Sequence, residues 1–193
     1  VPAKQNPLKP SPSQIPDSMR LELLKASLKE LGESKIEIWE GELNRNGLSY
    51  MKDTLKELSQ TLKEELVLII GSEVFRQLPQ WKEPKTVLSL ANIAVVARDE
   101  NPVDIKLTLE KCGIQDATKN ETGTKVADFD AVTHLKSLRW VQPFHINALP
   151  YSSTQIRQNI AKAWKTKDFT VAPQGIQRSV WLLIKENQLY AVN

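Results

Sequence analysis

Tyr151-Ser152-Ser153-Thr154-Gln155-Ile156-Arg157 sets three hydroxyls side by side and a guanidinium one turn further on. Pro150 precedes the stretch, and Ile156, Ile160, Ala163 and Trp164 recur behind it at helical spacing. That spacing predicts an amphipathic helix beginning at the hydroxyls. The first turn of a helix has unpaired N–H groups and the positive end of its dipole, so Ser152, Ser153 and Thr154 sit where an anion could be held. Arg157 would add a charge-assisted fork to a phosphate oxygen. The same residues carry a plainer reading, because Ser152-x-x-Gln155 is also a capping box, which only starts a helix. On local grounds both readings stand.

The chain around this stretch has 193 residues, 40% hydrophobic and 25% charged, which suits one globular domain or a domain with a small appendage. Its formal net charge of +3 is mild, and its Lys and Arg residues are dispersed, so no run argues for a nucleic-acid groove. A single cysteine, Cys112, excludes an internal disulfide and points to a reducing compartment. No apolar run approaches a membrane span and no signal peptide is visible. A soluble, cytoplasmic protein is expected.

Five prolines, at positions 2, 7, 10, 12 and 16, keep Val1 to Pro16 out of a helix and predict a loop. Asp17 or Ser18 is expected to cap a helix running to about Leu31, with Met19, Leu23, Leu24, Leu28 and Leu31 on one face and Gly32 as its stop. Lys35 to Glu40 alternates polar and apolar residues and predicts a strand. Gly41 to Leu48 reads as a polar loop. Ser49 reads as the cap of a helix from Tyr50 to about Leu62, carrying Met51, Leu55, Leu58 and Leu62 on its apolar side. Leu66 to Ile70 is a continuous apolar run ended by Gly71, the pattern of a strand covered on both faces. A turn through Leu78-Pro79-Gln80-Trp81, a helix near Pro84 to Leu90 and a buried strand from Ile93 to Ala97 follow. Val103 to Cys112 fits a helix stopped by Gly113, and Asp116 to Thr124 is expected at the surface. Arg139 to Ile146 predicts another strand, and Pro173 to Asn187 a last helix striped by Ile176, Val180, Leu183 and Ile184.

Strands alternating with helices predict an α/β fold: a Rossmann-like doubly wound parallel sheet with crossover helices, and a small C-terminal helical part. The expected organisation is one domain over 1–193, with the sheet in 1–150 and the helical part in 151–193. Ligands of such sheets bind beyond the carboxyl ends of the strands. Four loops should leave those ends: the one after Glu40, Gly71-Ser72-Glu73, Arg98-Asp99, and Ser152 to Arg157.

Several segments, in order, resemble bacterial nicotinate-nucleotide adenylyltransferases, which join nicotinate mononucleotide to the adenylyl group of ATP. They are Val1-Pro2 through Pro7-Leu8-Lys9, Glu42-Leu43-Asn44-Arg45, Ser49-Tyr50 with Asp53-Thr54-Leu55, Ile69-Ile70-Gly71-Ser72-Glu73, Leu78-Pro79-Gln80-Trp81, and Ser152-Ser153-Thr154-Gln155-Ile156-Arg157. The last is the most specific, and the resemblance covers the chain except about residues 99 to 138. It implies that Ser152, Ser153, Thr154 and Arg157 hold the ATP phosphates, with Arg157 stabilising charge as the α-phosphate is attacked. It implies a nucleotide passing close to Gly71, a ribose near Glu73, and Arg98 near ATP. For the second substrate it implies Trp81 stacked on the pyridine ring, backbone amides near Tyr50-Met51 and Trp81-Lys82 on the nicotinate carboxylate, and Lys9 near the substrate phosphate.

Each assignment has a plainer counterpart. Trp81 is also a typical core aromatic, Glu73 a typical first-turn acid, and Lys9 and Arg98 ordinary surface charges. Met51 stands where the family has Thr, Leu8 where it often has His, and Glu73 where Asp is usual. The resemblance further implies Mg²⁺ arriving with ATP, no metal ligands from the protein, no nucleic-acid or membrane partner, and room for a homo-oligomer. The family's opening G-x-F-x-P-x-H-x-G-H segment is absent, since His134 and His145 lie in no such motif. The sequence is therefore expected to be the later part of a longer enzyme, without its first strand-helix-strand unit and inactive by itself. Two other classes fit less of the chain: an adenylyltransferase of the pantetheine-phosphate type, and a non-catalytic nucleotide-binding module. In the enzyme reading Arg157 acts on the transition state, so Arg157→Ala in the full-length protein should lower kcat more than it raises KM. Steady-state kinetics giving an unchanged kcat with only KM moved would remove that role.

Overall fold

A computed structural model describes residues 1–5, 7–8, 15–32, 35–97, 104–114, 133–134, 139–147 and 151–191. Lys9, Arg98 and the polar segment Asp116 to Thr124 lie outside the described residues. In chain order the elements are α1 (Asp17–Leu31), α2 (Gly41–Asn44), α3 (Met51–Thr61), β1 (Val67–Gly71), α4 (Ser72–Arg76), a 3-10 turn (Leu78–Gln80), α5 (Pro84–Leu90), β2 (Asn92–Ala97), α6 (Ile105–Lys111), β3 (Thr133–His134), β4 (Trp140–His145), α7 (Ser153–Thr166) and α8 (Arg178–Glu186). They belong to two compact units. One is Val1–Ser49 with Leu149–Asn193, and the other is Tyr50–Ala148.

The central unit is built on a sheet of order β1-β2-β4-β3. Strands β1, β2 and β4 are parallel, joined by crossover helices, and β3 pairs antiparallel to β4 at one edge. This is the Rossmann-like α/β arrangement expected from the alternation of patterns. The middle strand β2 is buried at every residue except Val96, as its uninterrupted apolar run requires. Asn92, at its start, is fully buried and ties both neighbours: its N–H donates to Leu66 O at 2.9 Å, and its Oδ1 accepts from the Trp140 N–H at 2.9 Å. Pro143 is tolerated in β4 because β3 pairs only with Trp140 and Val141, so no described strand flanks that side of Pro143.

One side of the sheet packs on a core that includes Leu55 of α3, Phe75 of α4, Leu78, Val87 and Leu88 of α5 and Leu109 of α6. Burying each such side chain contributes about 1.5–3 kcal/mol, so this apolar set outweighs any surface ion pair in the unit. β1 departs from expectation. Leu68 and Ile70 pack on the core, but Val67 is 47% and Ile69 69% exposed. A strand's side chains alternate between faces, and the core covers the face that carries Leu68 and Ile70, leaving Val67 and Ile69 exposed on the other. Asp104 caps α6 by accepting the Leu107 N–H at 2.8 Å, and the helix is shorter than the predicted Val103–Cys112. Burial pushes the Cys112 thiol up to about 11, which keeps it neutral and unreactive at neutral pH.

In the other unit α1, α7 and α8 close over Ile15, Ile160, Trp181, Ile184 and Leu189. The predicted stripe of α7 is all present there, as Ile156, Ile160, Ala163 and Trp164. α1 contributes Met19 and Leu23, four residues apart and hence on one face, whereas Leu31 at its end is 58% exposed. Asp17 is not a cap. Pro16 occupies that position, and the Asp17 carboxylate instead accepts from Arg20 at 2.9 Å. Gly32 does stop the helix, with φ +68°, a conformation glycine adopts without Cβ strain.

Four further expectations are corrected here. Lys35 to Glu40 forms no strand: no described segment pairs with it, and alternation without a ladder partner does not make one. The loop after it contains the short helix α2. Ser49 does not cap α3; it is buried, its N–H donates to Gln5 O at 3.0 Å, and its Oγ accepts the Lys4 N–H at 3.3 Å. The last helix begins at Arg178, not Pro173, because the chain turns at Gly175 with φ +88°. Trp181, which the predicted stripe omitted, is as deeply buried as Ile184, and Leu183 is outside the cluster.

α8 has no side-chain cap of its own at Gln177. Glu30 of α1 supplies one across the unit, accepting the N–H groups of Arg178 at 3.2 Å and Ser179 at 2.6 Å. Hydrogen bonds from Ser179, its side chain first, hold the Glu30 carboxyl below its ordinary 4.5. A carboxyl depressed on folding stabilises the fold above its unfolded value and loses that contribution as pH falls through the depressed one. Glu30→Ala should therefore lower the melting temperature at pH 7 by about 2–4 °C. The gap to the parent should shrink on acidification toward pH 3; a gap constant with pH would show that the carboxylate is not the cap.

Candidate active site

Two segments singled out in the sequence, Tyr50-Met51 and Trp81-Lys82, meet in the central unit. Tyr50 precedes α3 in an extended conformation and offers no side-chain cap. Its carbonyl accepts the N–H groups of Asp53 at 3.0 Å and Thr54 at 3.3 Å. The N–H groups of Met51 and Lys52 have no backbone partner among the described residues. At the start of an 11-residue helix they are donors lying at the positive end of a dipole.

The chain returns to this place because Leu78 is fully buried and opens the 3-10 turn, which closes as the Trp81 N–H donates to Leu78 O at 3.0 Å. Trp81 and Met51 are both half-buried and pack on the same core. The Lys82 ammonium lies 4.6 Å from the centre of the Tyr50 ring. A cation over an exposed ring contributes about 0.5–1 kcal/mol, enough to favour that position over free solvent. Since the Trp81 N–H is already used, the Lys82 N–H is the donor of that pair with no backbone partner among the described residues.

Lys52, in the first turn of α3, forms an ion pair with Glu83 and lies 3.8 Å from Asp53. Their mutual hydrogen bond raises the Lys52 ammonium above its ordinary 10.5 and lowers the Glu83 carboxyl below its ordinary 4.5. Lys82 makes no ion pair among the described residues. The place therefore brings together a half-buried indole, N–H donors at a helix start and the Lys82 ammonium, whose charge also acts on the neighbouring Glu83 carboxyl. That combination suits a flat aromatic acid. Sequence reading missed Lys52 and Glu83, whose only signal was adjacency to the two named segments; pairing them across so long a separation needs the fold.

At the carboxyl end of β1, Gly71 leads directly into α4. A Cβ built on Gly71 would meet nothing within 4 Å, and its φ of −70° is open to any residue. Nothing in this chain's packing or conformation requires glycine there. Glu73 is exposed in the first turn of α4, and Ser72 beside it is buried.

The hydroxyl stretch belongs to the other unit. Ser152 is the cap of α7, its Oγ accepting the Gln155 N–H at 3.1 Å. The capping reading therefore holds for Ser152, and its lone pairs are partly spent on the helix. Ser153, Thr154 and Arg157 follow on the first turn and a quarter, all exposed. The start of the helix is fixed from behind. The Tyr151 ring lies where a Cβ on Gly175 would come within 3.1 Å of it, so glycine admits the ring as well as the positive φ. Among the described residues no three His, Cys, Asp or Glu side chains gather as a metal site, and no helix is long and apolar enough to cross a membrane.

Comparison with known proteins adds to this geometry. A protein of Aquifex aeolicus called probable nicotinate-nucleotide adenylyltransferase is 41% identical over 100 residues, 51% of this chain and 58% of the relative. One of Legionella pneumophila strain Lens with the same name is 39% identical over 101 residues, 52% of this chain and 46% of the relative. One of Methylococcus capsulatus, also so named, is 27% identical over 192 residues, 99% of this chain and 83% of the relative. The match thus spans about half the length of the first two relatives. The sequence pattern of the cytidylyltransferase-like family matches residues 1–159, and with the parallel sheet and its crossover helices this chain belongs to that family.

Proposed function

We propose that the full-length protein transfers the adenylyl group of ATP to nicotinate mononucleotide, giving deamido-NAD and pyrophosphate. The observation that carries this reading is the meeting of Trp81-Lys82 with the start of α3, which builds a place for a planar pyridine acid. The names of the relatives support the same acceptor over a pantetheine phosphate. An oxygen of the mononucleotide phosphate would form a bond to the α-phosphorus of ATP in line with the departing bond, and pyrophosphate would leave with that electron pair. No protein nucleophile is needed, so the protein's part is positioning and charge stabilisation.

In this reading Trp81 stacks on the pyridine ring. The N–H groups of Met51, Lys52 and Lys82 receive its carboxylate, with the Lys82 ammonium adding attraction. Gly71 admits a nucleotide close to the backbone and Glu73 faces a ribose. Ser153, Thr154 and Arg157 bind phosphate oxygens, with Ser152 holding the helix start that presents them. Lys9 and Arg98 are assigned to the substrate phosphate and to ATP. Mg²⁺ would come on the triphosphate, neutralising phosphate charge. The lone thiol of Cys112 fits a cytoplasmic setting, and a homo-oligomer is open to sedimentation analysis.

Three variants test the reading. Base–aromatic stacking is worth about 1–3 kcal/mol, so Trp81→Ala should raise KM for nicotinate mononucleotide about 10- to 100-fold with little change in KM for ATP. Trp81→Phe, which keeps the core contact, should recover most of it; equal damage to both substrates would argue for a fold defect instead. Gly71→Ala places a methyl in open space on a permitted backbone, so the melting temperature should hold or rise slightly. KM for ATP should nevertheless climb several-fold, and an unchanged KM would remove Gly71 from the nucleotide site.

A further inference from the structure

We propose that the Lys52–Glu83 ion pair is a positioning clamp that holds the Trp81-Lys82 segment against the start of α3 and so sets the affinity for the pyridine nucleotide. The inference rests on the acceptor reading above and adds to it two side chains that touch no substrate in that reading, where Lys52 contributes its backbone N–H alone.

Glu83 is the N-cap of α5 with φ +53° and ψ +62°, a left-handed conformation that a residue with a Cβ adopts at a cost and that glycine adopts freely. Local conformation would favour glycine here, so the reason for glutamate lies in its side chain. That side chain reaches Lys52, and its second oxygen accepts from the Thr86 hydroxyl at 3.4 Å. The ends of the surrounding segment are anchored independently: Leu78 is fully buried before it, and Val87 and Leu88 of α5 are buried behind it. Between these anchors Lys82 and Glu83 are exposed. The Lys52–Glu83 pair and the Lys82–Tyr50 contact are the bonds that fasten this span to α3. Lys52 is itself a cation in the first turn of a helix, where the dipole disfavours it, so its position also depends on Glu83.

A clamp and a simple charge effect predict opposite signs. Glu83 adds a negative charge beside a site for a carboxylate, so electrostatics alone would make its removal tighten binding. A clamp makes its removal loosen binding, through misplacement of the indole and the Lys82 N–H. Glu83→Gly in the full-length protein should relieve the backbone strain and leave the melting temperature equal or higher. Its KM for nicotinate mononucleotide should rise about tenfold, as slight misplacement of a binding group does. Its kcat and KM for ATP should stay within about twofold. Lys52→Met should move KM the same way, and the exchanged pair Lys52→Glu with Glu83→Lys should recover most of the loss. If the parent turns over nicotinate mononucleotide but KM is unchanged or falls in Glu83→Gly, the clamp is wrong and the acceptor reading survives. A fall in melting temperature that tracks the KM change would make the pair a fold support and also overturn the clamp. If the parent does not turn over this nucleotide, the acceptor reading itself fails and takes the clamp with it.

Discussion

Asn92 fixes the sheet. One buried side chain and its own N–H join Leu66 before β1 and Trp140 of β4 to the start of β2, so three parallel strands share a common origin. Register follows from that origin: Gly71 lies opposite Val96 and Ala97 opposite His145, which brings the carboxyl ends out at one level. The arrangement carries a cost, because the Asn92 Nδ2 is buried with no partner among the described residues. An unsatisfied buried donor is worth about 1–3 kcal/mol against the fold. Two strand-bridging bonds at full burial, plus the core that the register aligns, exceed it. Arg139 reinforces the same end by reaching Glu65 at 2.8 Å.

Everything on the candidate site in this unit inherits that alignment. The core side of the sheet receives α3 and α5, and burial of Leu55, Val87 and Leu88 places the start of α3 beside the segment that precedes α5. The apolar contacts supply the energy and the polar ones supply direction. Hydrophobic packing would tolerate small rotations of the Trp81 segment, whereas a helix start with free N–H groups and a cation over a ring both demand orientation. The chain belongs to the cytidylyltransferase-like family, and the proposed preference for a pyridine nucleotide rests on this one corner.

Much of this was legible in the residues. Periodicity found α1, α3, α5, α7, β2 and β4 because each is long enough, or apolar enough, for its period to stand out. It failed where pairing decides. Lys35 to Glu40 alternates as a strand should, yet a strand exists only with a neighbour. Leu66 to Ile70 is apolar throughout, yet its coverage depends on what packs against each face. Ser49 has the right chemistry for a cap, and Asp17 too, but Ser49 found a better partner in Lys4 and Gln5 and Asp17 in Arg20. At the site, Tyr50, Met51, Trp81 and Lys82 were readable through resemblance and were drawn together by the fold. Lys52 and Glu83 were not readable, since any of many exposed lysines and glutamates could have been partners.

The hydrogen bonds from α8 to Glu30 have a consequence for the order of folding. The central unit is one continuous stretch, and its strand pairings close loops of moderate length. The other unit joins two stretches that the central unit separates, and its α1–α8 seam links Glu30 to Arg178 and Ser179. Closing so long a loop costs about 2 kcal/mol more chain entropy than closing a dozen-residue turn. Folding the intervening unit first shortens the loop that remains. On a ribosome, α1 is made before the central unit and has no α8 to cap and no Trp181 to cover until that unit has emerged. Its amphipathic face must wait, and late acquisition of hydrogen-exchange protection in α1 is the mark such an order leaves.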